Sequence, residues 1–342
     1  MNKHHVITIG TSAGGIQALK VLLSQLPQDF PGSIYIVQHL SSDAPSYLAS
    51  FLAAVSKLPV AFARDRESIK PGQVYLAPPD LHLTLEVGYM RVMRGPRENR
   101  MRPAIDPLFR SAAVAYKSYA TGVILTGMLD DGTAGLRAIK ACGGFAIAQK
   151  PEDAVYSSMP QSAIANVAVD RVVPLQEIAS ILIERVHQTP PLVKEVPPDL
   201  LLEVPIALDA ITEPKTMAQI GNPVAHSCPS CGGPLWQINK NSPILRYRCH
   251  VGHAFTGSTL VEEQNEATEK ALWIALRTLE ERSRLLTSMS DRYEQNGATS
   301  LAKTHRERAK EALEHAILIR NLIRDLRTVA EYPLKNQSES ET

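Results

Sequence analysis

Serine, histidine and aspartate side chains occur in a pattern that suits nucleophilic catalysis. Residues 10–14 read Gly-Thr-Ser-Ala-Gly and satisfy the G-x-S-x-G pattern, which presents a serine on a sharp turn between a strand and a helix. His39 and the pair Asp130 and Asp131 follow later apolar segments. A serine hydroxyl needs a base to remove its proton and an acid to orient that base. These residue types therefore predict acyl transfer through Ser12, with one of the two aspartates as the acid.

The same glycines permit a second interpretation, a phosphate-binding turn. Gly14 and Gly15 open a predicted helix, and a helix N-terminus can bind an anion. A dinucleotide-binding turn, however, requires G-x-G-x-x-G and an acidic residue at the end of the second strand, whereas here that strand ends in Val-Gln-His at His39. The motif alone leaves both interpretations open, and a lone His39 could equally be a loop residue.

The elements that must position these residues form an α/β pattern. β-branched segments alternate with amphipathic ones, which is typical of a doubly wound, mostly parallel sheet. The predicted strands are 6–9, 34–37, 74–77, 123–125 and 145–148, with a hairpin over 81–94, and the predicted helices lie near 15–26, 45–56, 105–117, 133–142 and 175–187. Because ligands bind at the carboxyl ends of parallel strands, we expect Ser12, His39 and the aspartates to share one crevice.

Several segments resemble the catalytic domain of chemotaxis protein-glutamate methylesterases. The similarity covers about residues 4–187, and it rests on blocks in the family order at Ile9–Gly15, Gln38–Leu40, Ala77–His82, Asn99–Asp106, Ile124–Gly132 and Ser158–Pro160. It implies an esterase domain that hydrolyses glutamyl methyl esters on chemoreceptor-type proteins through an acyl-enzyme. Some members of the family also deamidate glutamine by the same chemistry.

The resemblance assigns the catalytic roles residue by residue. Ser12 is the implied nucleophile and His39 the implied base. The third member is Asp131, because the family places its acid directly before the glycine and does not require one at Asp130.

Further residues are implied to contact the substrate. For the oxyanion we expect backbone amides of Ala13 and of the turn around Met128. Asn99 and Arg102 belong to the loop expected to meet the substrate, in which Met101 stands where family members often carry a histidine.

Cysteines near residue 230 predict a metal site. Cys228 and Cys231 form a C-x2-C turn, and Cys249 follows in the next predicted strand region. Zinc prefers four tetrahedral sulfur or nitrogen ligands, so we expect a zinc-ribbon-like site with His253 as the fourth ligand and His250 as the alternative. A complete ligand set implies a structural role. The competing interpretation is a group of reduced cysteines in a small apolar core.

The chain is expected to divide into several parts. The predicted boundaries are a catalytic domain over 1–188, a stiff proline-rich linker over 189–223, a zinc-ribbon-like module over 224–257, an antiparallel helical hairpin over 258–331 and a disordered tail over 332–342. Thr259 and Glu262 predict a capping box at the start of the hairpin. Its apolar stripe is either buried between the two helices or continues into a homodimer. Since the triad precedes the linker, we expect residues 1–190 to be active alone.

Composition narrows the partners. The formal net charge of +1 over 342 residues gives no field that would draw the protein to nucleic acid or a membrane surface. Without a long apolar segment, and with only four cysteines, we expect a cytoplasmic protein with no membrane insertion. The expected partners are methylated chemoreceptor-type proteins and a separate receiver protein, because no receiver domain precedes the first strand. No cofactor is expected for catalysis. The competing function classes are a nucleotide-binding α/β domain and a non-catalytic scaffold.

Overall fold

A computed structural model describes residues 4–40, 47–191, 195–207, 214–239 and 242–330, with side chains as far as residue 326. The chain divides into two compact units, Met1–Val261 and Glu262–Thr342. The predicted tail over 332–342 lies outside the described residues. None of the helices in the described ranges is both long and apolar enough to cross a bilayer.

The first unit begins with an α/β fold. Its elements in chain order are β1 (Val6–Thr11), α1 (Gly15–Gln25), β2 (Ser33–Gln38), α2 (Leu48–Ala53), β3 (Val60–Phe62), β4 (Val74–Leu76), β5 (His82–Glu86), β6 (Tyr89–Met93), α3 (Ile105–Tyr116), β7 (Ala120–Ile124), α4 (Thr133–Ala141), β8 (Phe145–Gln149), α5 (Ser158–Asn166), β9 (Arg171–Val173) and α6 (Leu175–Val186). Seven strands pair in parallel in the order β3-β4-β2-β1-β7-β8-β9, and β5 and β6 form a separate antiparallel pair. The predicted α/β class with a mostly parallel sheet is confirmed.

Apolar cores on both faces of the sheet hold this fold together. β1 and β2 are buried along their whole length, as expected for central strands covered by helices on each side. On one face Leu19, Leu22 and Leu23 of α1 pack with residues of α6, and on the other Leu108 and Phe109 of α3 pack with residues of α4. Burial of each such side chain contributes about 1.5–3 kcal/mol, so the sheet is fixed mainly by its apolar pattern.

Three short elements of this region were not predicted. β3 and β9 have only three residues each and no fully buried position, so they carry no alternation that a sequence pattern could reveal. The nine-residue helix α5 buries only Met159, Pro160 and Ala163, which is too weak a stripe to stand out.

The segment predicted as a stiff linker contains two helices, α7 (Pro198–Ile206) and α8 (Pro214–Ile220). The prediction of a stiff linker over 189–223 therefore missed two short helices. Pro198 and Pro214 are each the first residue of a helix, where the missing N–H has no helical partner and the fixed φ suits the helix.

A second sheet follows directly. It consists of β10 (Gly221–Ser227), β11 (Pro234–Ile238), β12 (Arg246–Cys249) and β13 (Ala254–Thr256), paired antiparallel in chain order. It starts three residues before the predicted boundary at 224, and it lies in the same compact unit as the parallel sheet. Among the described residues, the apolar groups of this sheet, around Trp236 and Phe255, are small.

The second unit is built from two long helices, α9 (Gly257–Gln295), which starts within the first unit, and α10 (Thr299–Ala330). They run antiparallel, since Ser283 Oγ donates to the Ala309 carbonyl at 2.9 Å and Ser290 Oγ donates to the Ala302 carbonyl at 2.8 Å. Leu326 on α10 is 44% exposed.

The capping residue of α9 also differs from the prediction. Thr256 Oγ1 accepts the Thr259 N–H at 3.1 Å, and Thr259 Oγ1 accepts the Thr256 N–H at 2.8 Å. This reciprocal pair is a capping box displaced by one turn, with Thr256 rather than Thr259 as the cap.

Candidate active site

A tight turn after β1 presents Ser12. The Ser12 N–H donates to the Thr126 carbonyl at 3.0 Å, and the Gly15 N–H donates to the Ser12 carbonyl at 3.0 Å. Gly14 has a φ of 77°, a left-handed conformation that a residue with a Cβ adopts only with strain. The turn therefore fixes the serine at the carboxyl end of the central strand.

The turn after β7 approaches Ser12 closely through Gly127. A Cβ at this position would lie 2.9 Å from the Cβ of Ser12 and 2.1 Å from the Sδ of Met159. Glycine alone fits between these atoms, so the sequence at Gly127 permits the β1 and β7 turns to meet.

His39 lies directly after β2, the strand beside β1. Its N–H donates to the Thr11 carbonyl at 3.1 Å, and the amide of Gln38 donates to the Ser12 carbonyl at 2.8 Å. The imidazole Nδ1 is 3.1 Å from Ser12 Oγ, and Nε2 is 2.8 Å from Asp131 Oδ2. In this arrangement Nε2 carries the proton donated to the carboxylate, which leaves Nδ1 free to accept the serine hydroxyl proton.

Asp131 is held as a carboxylate by several donors. Its oxygens accept hydrogen bonds from the Ile105 N–H at 2.7 Å, the Asn99 amide at 2.8 Å and the Gly132 N–H at 2.9 Å. Burial alone would raise the pKa of Asp131, but the hydrogen bonds from His39, Ile105 and Asn99 hold that pKa below its usual range. The group that faces His39 is therefore an anion, able to stabilise an imidazolium.

The neighbouring carboxylate has a different environment. Asp130 Oδ1 accepts the hydroxyl proton of Thr256, a residue of the second sheet, at 2.9 Å. Burial raises the pKa of Asp130, and the Thr256 hydrogen bond opposes that rise only in part. It is Asp131 that the structure brings to His39.

Asp106, at the start of α3, is a third buried carboxyl group beside the triad. It accepts the Gly135 N–H at 2.6 Å and the Asn99 amide at 2.9 Å. Burial and the charge of Asp131 raise the pKa of Asp106 to about 7. Sequence reasoning gave Asp106 no role, because only the fold brings it close to Asp131.

The two expected oxyanion donors lie on the turns that flank Ser12. The amides of Ser12 and Gly127 donate to carbonyls, whereas those of Ala13 and Met128 have no acceptor among the described residues. The Met128 side chain is 56% exposed. Both amides thus lie on suitable turns and have no competing acceptor there.

The loop expected to contact substrate has another role in the structure. Asn99 is only 4% exposed, and its amide group is fully used by Asp106 and Asp131. Arg102 donates to Asp80 at 2.7 and 2.9 Å and to the Gly95 carbonyl at 2.7 Å. Substrate contact by Asn99 and Arg102 stays a prediction, although both side chains donate to groups within the protein.

Five buried charged residues, here called the ion cluster, connect this loop to the second sheet. They are Glu98, Arg110, Glu203, Arg246 and Arg248. Arg110 is 2.6 Å from Glu98, Arg248 is 2.9 Å from Glu98 and 3.0 Å from Glu203, and Arg246 forms a two-pronged pair with Glu203.

The ion cluster pairs opposite charges from four parts of the chain, which are the loop that carries Glu98, α3, α7 and β12. Burial would raise the pKa of Glu203, but Arg110, Arg246 and Arg248 hold that pKa far below its usual range. The activity of residues 1–190 alone stays a prediction; in the structure Glu98 and Arg110 have buried partners on α7 and β12, beyond that range.

The predicted metal ligands Cys228, Cys231, Cys249 and His253 lie together. Their ligand atoms are all within 4.8 Å of one another. The sulfurs of Cys231 and Cys249 are 3.7 Å apart, and His253 Nδ1 is 3.8 Å from the Cys228 sulfur and 3.6 Å from the Cys249 sulfur. His250 is outside this group, with its ring beside Gly233.

Fold and site together define an α/β protein with a Ser-His-Asp constellation at the carboxyl ends of its parallel strands. The sequence model of the CheB methylesterase family matches residues 7–182, and the chain belongs to this family. The resemblance inferred from the sequence blocks is thereby confirmed.

Similar proteins carry names consistent with that family. A putative protein-glutamate methylesterase/protein-glutamine glutaminase of Leptospira interrogans is 41% identical over 181 residues, covering 53% of this chain and 94% of the relative. A protein-glutamate methylesterase/protein-glutamine glutaminase of Anaeromyxobacter dehalogenans is 42% identical over 179 residues, or 52% of each protein. The crystal structure of the Thermotoga maritima CheB methylesterase catalytic domain matches with a TM-score of 0.52 and 39% identity, covering 53% of this chain and 98% of that one. The chain spans about half the length of several curated relatives that it matches.

Proposed function

We propose that this protein hydrolyses glutamyl methyl esters on chemoreceptor-type signalling proteins, with Ser12 as nucleophile, His39 as base and Asp131 as the orienting acid. The observation that carries the proposal is the His39 ring, which lies within hydrogen-bond distance of both Ser12 Oγ and an ionised Asp131. Relatives about 40% identical are named protein-glutamate methylesterases, which supports the substrate class.

The reaction follows from these positions. Ser12 Oγ attacks the ester carbonyl while its proton passes to Nδ1 of His39, and Asp131 stabilises the imidazolium that forms. The tetrahedral oxyanion accepts hydrogen bonds from the amides of Ala13 and Met128. Collapse breaks the bond to methoxide, which takes the proton from His39 and leaves as methanol. Water then attacks the acyl-enzyme with His39 as base, and glutamate and free Ser12 result.

The same steps apply to a glutamine side chain. Ammonia replaces methanol as the leaving group, and hydrolysis of the same acyl-enzyme again yields glutamate. The double names of the relatives, methylesterase and glutaminase, support this second activity.

Methanol release from a methylated receptor fragment tests the proposal. We expect Ser12→Ala to lower kcat by at least about 10⁴-fold, since a triad loses most of its rate enhancement with its nucleophile. Ser24→Ala is the matched control, because the Ser24 hydroxyl is on the exposed side of α1 and bonds only to the Val21 carbonyl. Turnover that survives Ser12→Ala, together with a melting shift on adding nucleotide, would instead favour the nucleotide-binding alternative.

The four-residue cluster of Cys228, Cys231, Cys249 and His253 is proposed to hold one structural zinc ion. A tetrahedral site with zinc–sulfur bonds of about 2.3 Å has ligand–ligand edges of about 3.8 Å, and the three separations given above are close to that value. Elemental analysis should find one zinc per chain, lost on Cys228→Ser or Cys249→Ser with local unfolding of the second sheet. Metal-free protein with an unchanged melting curve would contradict the site.

The proposal extends to the partners of the protein and to its location in the cell. We propose a cytoplasmic enzyme that acts on methylated receptors, that is regulated by a separate receiver protein, and that forms a homodimer through α9 and α10. Exposed apolar residues on α10 support the dimer; they are Leu313, Ile317, Leu318, Leu322 and Leu326. A monomeric mass by light scattering at micromolar concentration would rule the dimer out.

A further inference from the structure

The second sheet contacts the support of the triad acid directly. The Asn99 N–H donates to the Ala254 carbonyl of β13 at 2.8 Å, and the Asn99 side-chain oxygen accepts the Thr256 N–H at 3.2 Å. The opposite end of the same side chain donates to Asp131. A single buried side chain thus joins β13 to the carboxylate that orients His39.

The ion cluster fixes the second sheet at this place. Arg248 of β12 is fully buried and pairs with Glu98, the residue before Asn99. Its other terminal nitrogen donates to the Gly252 carbonyl at 2.8 Å, in the turn that leads into β13. Arg248 therefore ties that turn to the segment of the parallel-sheet region that carries Asn99.

The proposed metal ligands border the same turn. Cys249 ends β12 and His253 precedes β13, and the Cys249 N–H donates to the His253 carbonyl at 3.0 Å. His253 is the residue directly before Ala254, which contacts Asn99. The apolar core beside this turn, around Phe255, is small, so the turn has little apolar packing to hold its shape.

We propose that a metal bound by Cys228, Cys231, Cys249 and His253 holds β13 against Asn99, so that metal occupancy sets the orientation of Asp131 and the rate of ester hydrolysis. The proposal rests on the esterase function given above. It makes Asn99 and Thr256 positioning residues and leaves the chemistry to Ser12 and His39.

Removal of the metal should lower the rate of ester hydrolysis. When β13 moves away, Asn99 loses two of its partners and its hydrogen bond to Asp131 loosens. A displacement of about 1 Å in catalytic geometry can cost about 10²-fold in rate, so a 10- to 100-fold loss in kcat is expected. KM should change little, because the surface that binds substrate stays in place.

A pH titration gives a second readout. The titratable or charged groups that face Asp131 are His39, Asp106, Asp130 and His82, with Arg110 behind Asp106. A carboxylate that loses the Asn99 donor keeps its proton to a higher pH. The pKa of Asp131 should therefore rise when the metal is removed, which a carboxyl carbon NMR titration of zinc-loaded and depleted protein would show.

The experiment compares the full-length protein loaded with zinc, depleted by a chelator and reloaded with one equivalent of zinc. Methyl-ester hydrolysis and amide hydrogen exchange over residues 97–105 are measured on each form. Depletion should lower kcat 10- to 100-fold, accelerate exchange at Asn99 and Ile105, and be reversed by zinc. Cys231→Ser should reproduce depletion, and Cys142→Ala, at a buried cysteine outside the cluster, should not.

A pair of variants perturbs the end of β13, next to the Thr256 N–H that bonds Asn99, without removing the metal. Thr256→Val removes the hydroxyl that caps α9 and bonds Asp130, so it should lower kcat several-fold, and Thr256→Ser should restore it. This pair keeps the test decisive if metal-free protein loses the second sheet altogether.

The results that would contradict the coupling differ from those that would contradict the esterase function. A depleted form that keeps kcat within twofold, or a rise in KM alone, would overturn the proposal. A metal-dependent change in exchange at Asn99 without ester hydrolysis in any form would contradict the esterase function but support the coupling.

Discussion

The parallel-sheet region and the second sheet are stabilised in different ways. Between β1 and α6, two large apolar cores lie on the two faces of the sheet, and the polar catalytic groups are confined to the strand ends. From α7 to β13 the apolar cores are small, and buried charges and clustered thiols replace them. Charge pairs also join the two regions, since Arg248 of the second sheet pairs with Glu98, and Glu203 of α7 pairs with Arg110. The fold of the first region is therefore determined mainly by its own apolar pattern. The fold of the second region depends more on the partners of its buried charges and clustered thiols.

The largest loss of activity is expected on replacing Asp131, the proposed acid of the triad in the first region. Asp131→Asn should lower kcat by about 10³- to 10⁴-fold, because an amide cannot stabilise the imidazolium and favours the wrong tautomer. Asp130→Asn is the matched control, and it should cost less than about tenfold, since Asp130 bonds Thr256 rather than His39. Steady-state methanol release measures both. A larger loss in Asp130→Asn than in Asp131→Asn would reverse the assignment.

A second test concerns the charges that join the two regions. Glu203→Gln should lower the free energy of unfolding at pH 7 by about 3–5 kcal/mol, because three buried guanidinium groups would then face a single carboxylate. Glu177→Gln on the exposed face of α6 serves as the control and should change little. Denaturant unfolding monitored by circular dichroism measures the difference.

The pH dependence of that difference has a definite sign. The pKa of Glu203 is lowered in the folded protein, so its stabilisation is complete above its ordinary value of about 4.5 and is lost as the pH falls towards the folded value. The gap between wild type and Glu203→Gln should therefore be full at pH 7 and narrow below pH about 4.5. An equal gap at pH 7 and pH 3 would mean that the charge of Glu203 is not the cause.

The smallest effect is expected at Gly127, where the β1 and β7 turns of the first region pack closely at the active site. Gly127→Ala should lower kcat by about 10²-fold, because the new methyl group would displace Ser12 or Met159. Adding Met159→Ala relieves the contact with sulfur but leaves the 2.9 Å approach to Ser12, so stability should recover more than turnover. Wild-type kcat in the single variant would show that the two turns do not need to meet.

Sequence patterns predicted much of the first region and less of the second. Segments with several buried positions, such as α1, α3 and β2, were placed within a few residues because their apolar periodicity is long. Ser12 and His39 were proposed from their motifs and Asp131 from the family resemblance, whereas no role was expected for Glu98 or Arg248. Arg248 resembles a solvated strand residue in sequence and is fully buried in the structure. Nothing local to the sequence marks a charge whose partner is 150 positions away.

By itself the sequence predicted the α/β class, Ser12 and His39 as nucleophile and base, and the residues able to bind a metal, because each depends on local spacing or on a strand end. The choice of Asp131 over Asp130 rested on the family resemblance. Only the tertiary structure decided what holds those residues in place. It put Asn99 between Asp131 and β13, replaced a predicted linker by the helix that carries Glu203, and paired Glu98 with Arg248. The physical reason is that buried polar groups must find partners wherever the fold brings them, and those partners are set by distance in space rather than by distance along the chain.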